Sequence, residues 1–167
     1  MGVLKKFFGK EQKEWVAFAT GSLLPLSKAT DPLFSSLSMG NGVAILPSSS
    51  EVVSPVTGEI TMVFPTKHAF GLKTDEGIEI LIHIGVDTVN LKGKGFSFYK
   101  KKNTKVKAGE KIADIDLSVL SQNGYDSTIM FIVTNSNGYS LVYEDDSSVK
   151  SGESIIAKIK NEENWEA

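Results

Sequence analysis

His68 and His83 are the two histidines of this 167-residue chain, and both fall within residues 66–87, TKHAFGLKTDEGIEILIHIGVD. Brought together, two imidazoles support three chemistries. With a carboxylate such as Asp87 or Glu79 they could hold Zn²⁺, although a closed structural zinc site takes four ligands. They could run acid–base hydrolysis, but no nucleophile stands out beside them. They could also transfer a phosphoryl group: an imidazole near its ordinary pKa of about 6.5 is mostly neutral at pH 7 and has a lone pair for phosphorus. A second imidazole would then hydrogen-bond the phosphoryl oxygens, with Thr66, two residues before His68 and on the same strand face, placed to orient it. No arginine occurs in the chain, so a bound phosphate must rely on backbone N–H groups, hydroxyls, imidazoles or lysine.

The elements that must position the pair are two strands. Ile78, Ile80, Ile82 and Ile84 alternate with Glu79, Leu81 and His83, which predicts a strand with one aliphatic buried face. Residues 68–74 read as its partner, and Asp75-Glu76-Gly77 as the turn. A two- or four-residue tip sets His68 directly opposite His83, with Cβ atoms about 4.5–5.5 Å apart. Phe70 and Leu81 are then their apolar neighbours. A three- or five-residue tip would put the histidines on opposite faces. The isoleucines already supply the core face, so nothing structural requires histidines on the other.

The rest of the chain reads as short strands broken by turns. Residues 17–25 read as a strand and bend, and further strands are expected at residues 43–46, 51–53, 58–64, 96–99, 111–115, 129–134, 141–143 and 155–159. Asp31-Pro32 starts a helical turn, with Asp31 as N-cap. Residues 88–91 form another turn, and Asp116 caps a short helix over 117–122. Val106-Lys107-Ala108-Gly109-Glu110 is echoed by Val149-Lys150-Ser151-Gly152-Glu153. The fold class is all-β, an antiparallel β-sandwich or barrel with one or two short helical turns.

Length and composition fit one globular domain that buries roughly 68–70% of its unfolded surface. Residues 1–14 read as a leader, residues 15–161 as the domain and residues 162–167 as an acidic tail. In the leader Val3, Leu4, Phe7 and Phe8 fall at helical spacing against Lys5, Lys6 and Lys10. Two readings stand: a basic amphipathic helix on a membrane surface, or a leader that packs on nothing. No cysteine is present, which excludes disulfides and thiolate metal sites. A net charge of −2 gives no case for nucleic acid. With no apolar run of about 18 residues and no recognisable signal peptide, the cytoplasm is the expected compartment, at the inner membrane face if the leader binds lipid. A monomer is expected.

The residues also carry a resemblance. Ser54-Pro55-Val56-Thr57-Gly58, residues 66–72 (TKHAFGL), residues 81–89 (LIHIGVDTV) and residues 91–96 (LKGKGF) resemble the glucose-type IIA component of the bacterial phosphoenolpyruvate-dependent sugar phosphotransferase system. Pro25-Leu26-Ser27, Asp31 with Phe34, and residues 39–45 (MGNGVAI) agree as well. The resemblance spans about residues 17–160. It implies an antiparallel β-sandwich without a required cofactor.

In that family's terms, His83 is the residue phosphorylated, on Nε2, with Nδ1 oriented by the Gly85 carbonyl. His68, held by Thr66, stabilises the phosphoryl group. The donor is the phosphocarrier HPr and the acceptor the IIB domain of a glucose-type permease, with its membrane domain IIC. Both partners are expected to dock on an apolar collar of Phe34, Phe64, Leu81 and Val89, with Asp31 and Asp87 meeting their basic residues. Leu81 stands where some members carry phenylalanine. The alternative reading is a zinc-binding or regulatory interaction module that uses His68 and His83 without turnover.

Overall fold

The computed structural model describes residues 13–160. Fourteen strands follow one another along them: β1 (Lys13–Val16), β2 (Gly21–Pro25), β3 (Asn41–Pro47), β4 (Glu51–Val53), β5 (Gly58–Val63), β6 (Ala69–Thr74) and β7 (Glu79–Ile84), then β8 (Phe96–Phe98), β9 (Lys105–Val106), β10 (Lys111–Ile115), β11 (Ile129–Asn135), β12 (Ser140–Tyr143), β13 (Ser147–Val149) and β14 (Ile155–Lys160). Eight of them form one sheet in the order β13-β2-β3-β11-β7-β6-β5-β9, and two three-stranded sheets, β1-β14-β12 and β4-β10-β8, complete the sandwich. Every recorded strand pairing is antiparallel.

The isoleucine face organises the packing. Ile78, Ile80, Ile82 and Ile84 are all buried and join Val43, Ile45, Phe70, Phe131 and Trp15 in the main core. Phe18 stacks on Phe131 with ring centroids 5.6 Å apart. Each fully buried aliphatic side chain contributes about 1.5–3 kcal/mol relative to exposure. A one-residue slip of the stretch 78–84, which holds β7 and Ile78 just before it, would therefore cost on the order of 10 kcal/mol across the four isoleucines.

The opposite face of the same sheet carries the second cluster. Ala44, Met130 and Ile132 lie there, covered by Leu26, Ala29 and Phe34. Leu26 begins a short 3₁₀ turn, Leu26–Lys28, and Phe34 belongs to α1 (Pro32–Ser35). As expected, Asp31 caps α1, its side chain accepting from Leu33 N at 3.0 Å, with Pro32 in the first turn. The second helix, α2 (Leu117–Gln122), is capped by Asp116. A 3₁₀ turn at Thr88–Leu91 matches the third expected turn.

Three strands went unread in the sequence: β1, β9 and β13. The boundary between leader and domain also moves, because Lys13 and Glu14 belong to β1 and pair with Ile159 and Lys158. Residues 1–12 of the leader and the acidic tail lie outside the described residues. The echoed turns abut, since a Cβ on Gly152 would sit 3.6 Å from the Cα of Gly109. Each leans on an equivalent threonine: Ala108 N donates to Thr57 Oγ1 at 3.1 Å, and Ser151 N to Thr20 Oγ1 at 3.0 Å. Among the described residues, no helix is long and apolar enough to cross a membrane.

Candidate functional site

The hairpin that carries the histidines is one residue out of the expected register. Its tip has three residues, Asp75, Glu76 and Gly77. Thr74 N donates to Ile78 O, Gly77 N donates to Thr74 O, and Gly77 takes φ +86°. A glycine in the left-handed region is what a three-residue hairpin loop requires. Consequently His83 pairs with Ala69 rather than His68, Leu81 pairs with Gly71, and Phe70 pairs with Ile82 in the main core. Phe70 is therefore no neighbour of the histidines.

The imidazoles meet all the same, with ring centroids 4.9 Å apart at an interplanar angle of 75°. The reason lies just before β6. Lys67 takes a left-handed φ of 59° and its N–H closes a turn onto Phe64 O at 2.7 Å. His68 follows that turn outside the regular strand, held by its carbonyl, which accepts from Ile84 N at 2.7 Å. Thr66 lies in the same turn, not on a strand face, and its Oγ1 is 2.7 Å from His68 Nδ1.

His83 Nδ1 lies 2.8 Å from the carbonyl oxygen of Gly85. A carbonyl only accepts, so Nδ1 carries the proton and Nε2 keeps a free lone pair. Burial lowers the pKa of His83 below its ordinary 6.5; the Gly85 carbonyl and the charges of Asp31 and Asp87 oppose that shift without reversing it. Burial, and then the charge of His83, lower that of His68. Both rings are thus mostly neutral at pH 7.

Aromatic rings rim both imidazoles. The Phe34 ring lies 4.9 Å from that of His83, and the Phe64 ring meets that of His68 edge-on at 5.3 Å. Leu81 packs on the second cluster. Val89 is 45% exposed on the Thr88–Leu91 turn, and Leu33, beside Phe34, is 55% exposed. Phe34 itself is buried and supports His83 more than it offers surface. Asp87 stands at φ 60° before the Val89 turn with its side chain making no cap bond. No group of three or more histidines and carboxylates placed to hold a metal ion occurs among the described residues. Asp87 and Glu79 therefore do not join the histidines as a metal ligand set.

Sequence reading missed the support beneath this rim. Thr88 Oγ1 donates to Ile84 O, and the turn at Asp126 and Thr128 receives the N–H groups of Gly85 and Val86. Asp-x-Thr before a strand is an Asx-turn signal, but it does not say what the turn will hold.

The family model of the phosphoenolpyruvate-dependent sugar phosphotransferase system, EIIA 1, matches residues 13–139. The chain belongs to this family. It is 39% identical to the PTS system glucose-specific EIIA component of Halalkalibacterium halodurans, over 95% of this chain and 98% of that protein. The corresponding component of Oceanobacillus iheyensis is 38% identical over 95% and 98%. The glucose-specific EIICBA component of Staphylococcus carnosus is 42% identical over 81% of this chain and 20% of its own length. Among solved structures, glucose permease IIA from Mycoplasma capricolum superimposes with a TM-score of 0.80 at 36% identity, covering 90% of this chain and 97% of that one. The EIIA fold is thus the antiparallel sandwich described above.

Proposed function

We propose that this EIIA chain is a phosphocarrier that accepts a phosphoryl group from phospho-HPr on His83 and passes it to the IIB domain of a glucose-type permease. The observation that carries the reading is the bond between His83 Nδ1 and Gly85 O, which leaves Nε2 as the nucleophile. The Nε2 lone pair forms the N–P bond while the donor leaves with the electron pair of the bond that breaks. The substituted ring then bears positive charge, which the Gly85 carbonyl, Asp31 and Asp87 favour. The chemistry needs no cofactor, because imidazole is both nucleophile and leaving group.

His68 stabilises the group in transit. With the Thr66 hydroxyl donating to Nδ1, the His68 proton sits on Nε2, a donor for the phosphoryl oxygens. The rim of Phe64, Leu81 and Val89, braced by Phe34, fits alternate docking of HPr and IIB, and Asp31 and Asp87 are placed for basic partner residues. The likeness to one fifth of an EIICBA component supports a IIB/IIC permease as the acceptor. The chain acts in the cytoplasm as a monomer, with residues 1–14 as a weak contact to the inner membrane face.

Incubation with phosphoenolpyruvate, enzyme I and HPr tests the reading. One acid-labile, base-stable phosphate should appear on the chain and leave when permease is added. A protein that takes no phosphate would instead be a binding module.

A further inference from the structure

The Gly85–Val86 peptide is one rigid plane, and its two polar ends face opposite ways. Its carbonyl receives His83 Nδ1 at 2.8 Å, and its N–H donates to the backbone oxygen of Asp126 at 3.0 Å. The Asp126 backbone is in turn fixed by its own side chain. Oδ1 accepts from Thr128 N at 2.9 Å and from Thr128 Oγ1 at 2.7 Å. Thr128 closes the loop, since its carbonyl accepts from Gly85 N at 2.9 Å. Both amides flanking Gly85 are gripped by this one turn.

The other carboxylate oxygen reaches a different support of the same imidazole. Oδ2 accepts from Thr30 Oγ1 at 2.9 Å. Thr30 precedes Asp31, the N-cap of α1, and α1 carries the Phe34 ring that lies against His83. One side chain therefore ties the carbonyl that sets the ring's tautomer to the helix that sets its packing.

We infer that Asp126 is a positioning residue for the reacting histidine: it holds the Gly85–Val86 plane, and through it the ring angle and Nδ1–H tautomer of His83, in step with α1. This rests on the reading of His83 as the phosphoryl acceptor. Freed from the turn, the peptide plane can rotate, and the ring can then place its proton on Nε2, where it blocks the lone pair. The plane also works during transfer. As the ring gains positive charge its Nδ1–H donates more strongly, the amide polarises, and its N–H bonds the Asp126 carbonyl more tightly.

The test is ¹⁵N NMR of the histidine rings in the full chain, for wild type, Asp126→Ala and Asp126→Asn, beside the rate of phosphoryl transfer from phospho-HPr. Wild type should show His83 as a single Nδ1–H tautomer. Asp126→Ala should show mixed tautomers and a transfer rate about 10- to 100-fold lower, the scale of a misaligned reacting group. Asp126→Asn keeps an oxygen for the two Thr128 donors and should restore the wild-type ring signature and most of the rate. Should Asp126→Ala fail to fold, Thr128→Val removes one donor to the carboxylate at nearly constant shape and should mix the tautomers in the same sense. A folded Asp126→Ala protein with an unmixed His83 tautomer would overturn the inference, whatever its rate. If wild type takes no phosphate while the tautomer still responds to Asp126, the acceptor reading fails and the positioning role stands.

Discussion

His83 donates from Nδ1 to the carbonyl of Gly85, two residues along the chain, at 2.8 Å. Gly85 can present that carbonyl because it sits at φ +81°, where a Cβ would lie 2.4 Å from Thr88 Cγ2 and 3.1 Å from Asp126 O. Gly85→Ala should therefore disturb fold and site together. The left-handed conformation alone costs about 1–2 kcal/mol, and the clash with Thr88 adds to it. Thermal unfolding should show a lower Tm, by about 2–4 °C for each kcal/mol, and phosphate acceptance should slow. An alanine variant with unchanged Tm and rate would show that neither the backbone angle nor the carbonyl matters.

Both histidines bind protons less readily in the folded chain than their ordinary pKa of 6.5 implies. Below pH 6.5 the unfolded chain therefore binds more protons at these positions than the folded one, and folding stability falls as pH falls. The contribution is fully present above about pH 6.5 and is lost as pH drops through the folded values. Asp126 and Glu76, whose carboxyls are held below their ordinary values of 3.8 and 4.5, act in the same sense at lower pH. Denaturant midpoints measured from pH 7.5 to 5 should decline for wild type and decline less for His68→Gln. Equal slopes in the two proteins would remove His68 from the account.

Truncation should separate the leader from the fold. Removing residues 1–12 leaves β1 intact and should preserve Tm and phosphate acceptance while weakening binding to anionic vesicles. Removing residues 1–14 also deletes the pairings of Lys13 with Ile159 and Glu14 with Lys158, and the ion pair of Lys13 with Glu76. The longer deletion should therefore lower Tm. Vesicle binding that survives both deletions would place the membrane contact elsewhere.

The strands with aliphatic alternation were legible in the sequence, above all β7, because Ile80, Ile82 and Ile84, with Ile78 just before them, have a single satisfactory place. The helix caps at Asp31 and Asp116 were legible for an equally local reason: their side chains bond N–H groups two or three residues on. β9 and β13 are short strands, of two and three residues, that exist because β5 and β2 offer them an edge. In β1 only Trp15 is buried, while Lys13 and Glu14 are exposed and look like part of a charged leader. The register of the hairpin turned on whether Gly77 lies inside the loop, a choice of backbone angle that its neighbours do not dictate. The two histidines met in spite of the register, through the left-handed turn at Lys67. Asp126, forty-three residues beyond His83, is joined to it only by tertiary pairing, and its local Asp-x-Thr pattern announces a turn without saying what the turn holds.

On the proposed function, His83 carries the phosphoryl group while His68 stabilises it in transit. The direct measurement is ³²P transfer from labelled HPr to wild type, His83→Ala and His68→Gln, followed by addition of permease. Both variants should stay folded, since neither ring lies on the isoleucine face. His83→Ala should take no label. His68→Gln should accept label but pass it on slowly, because removing one stabiliser of a transferring group costs about 10²–10³ in rate. Label on the His83→Ala protein, or label that maps to His68, would contradict the account.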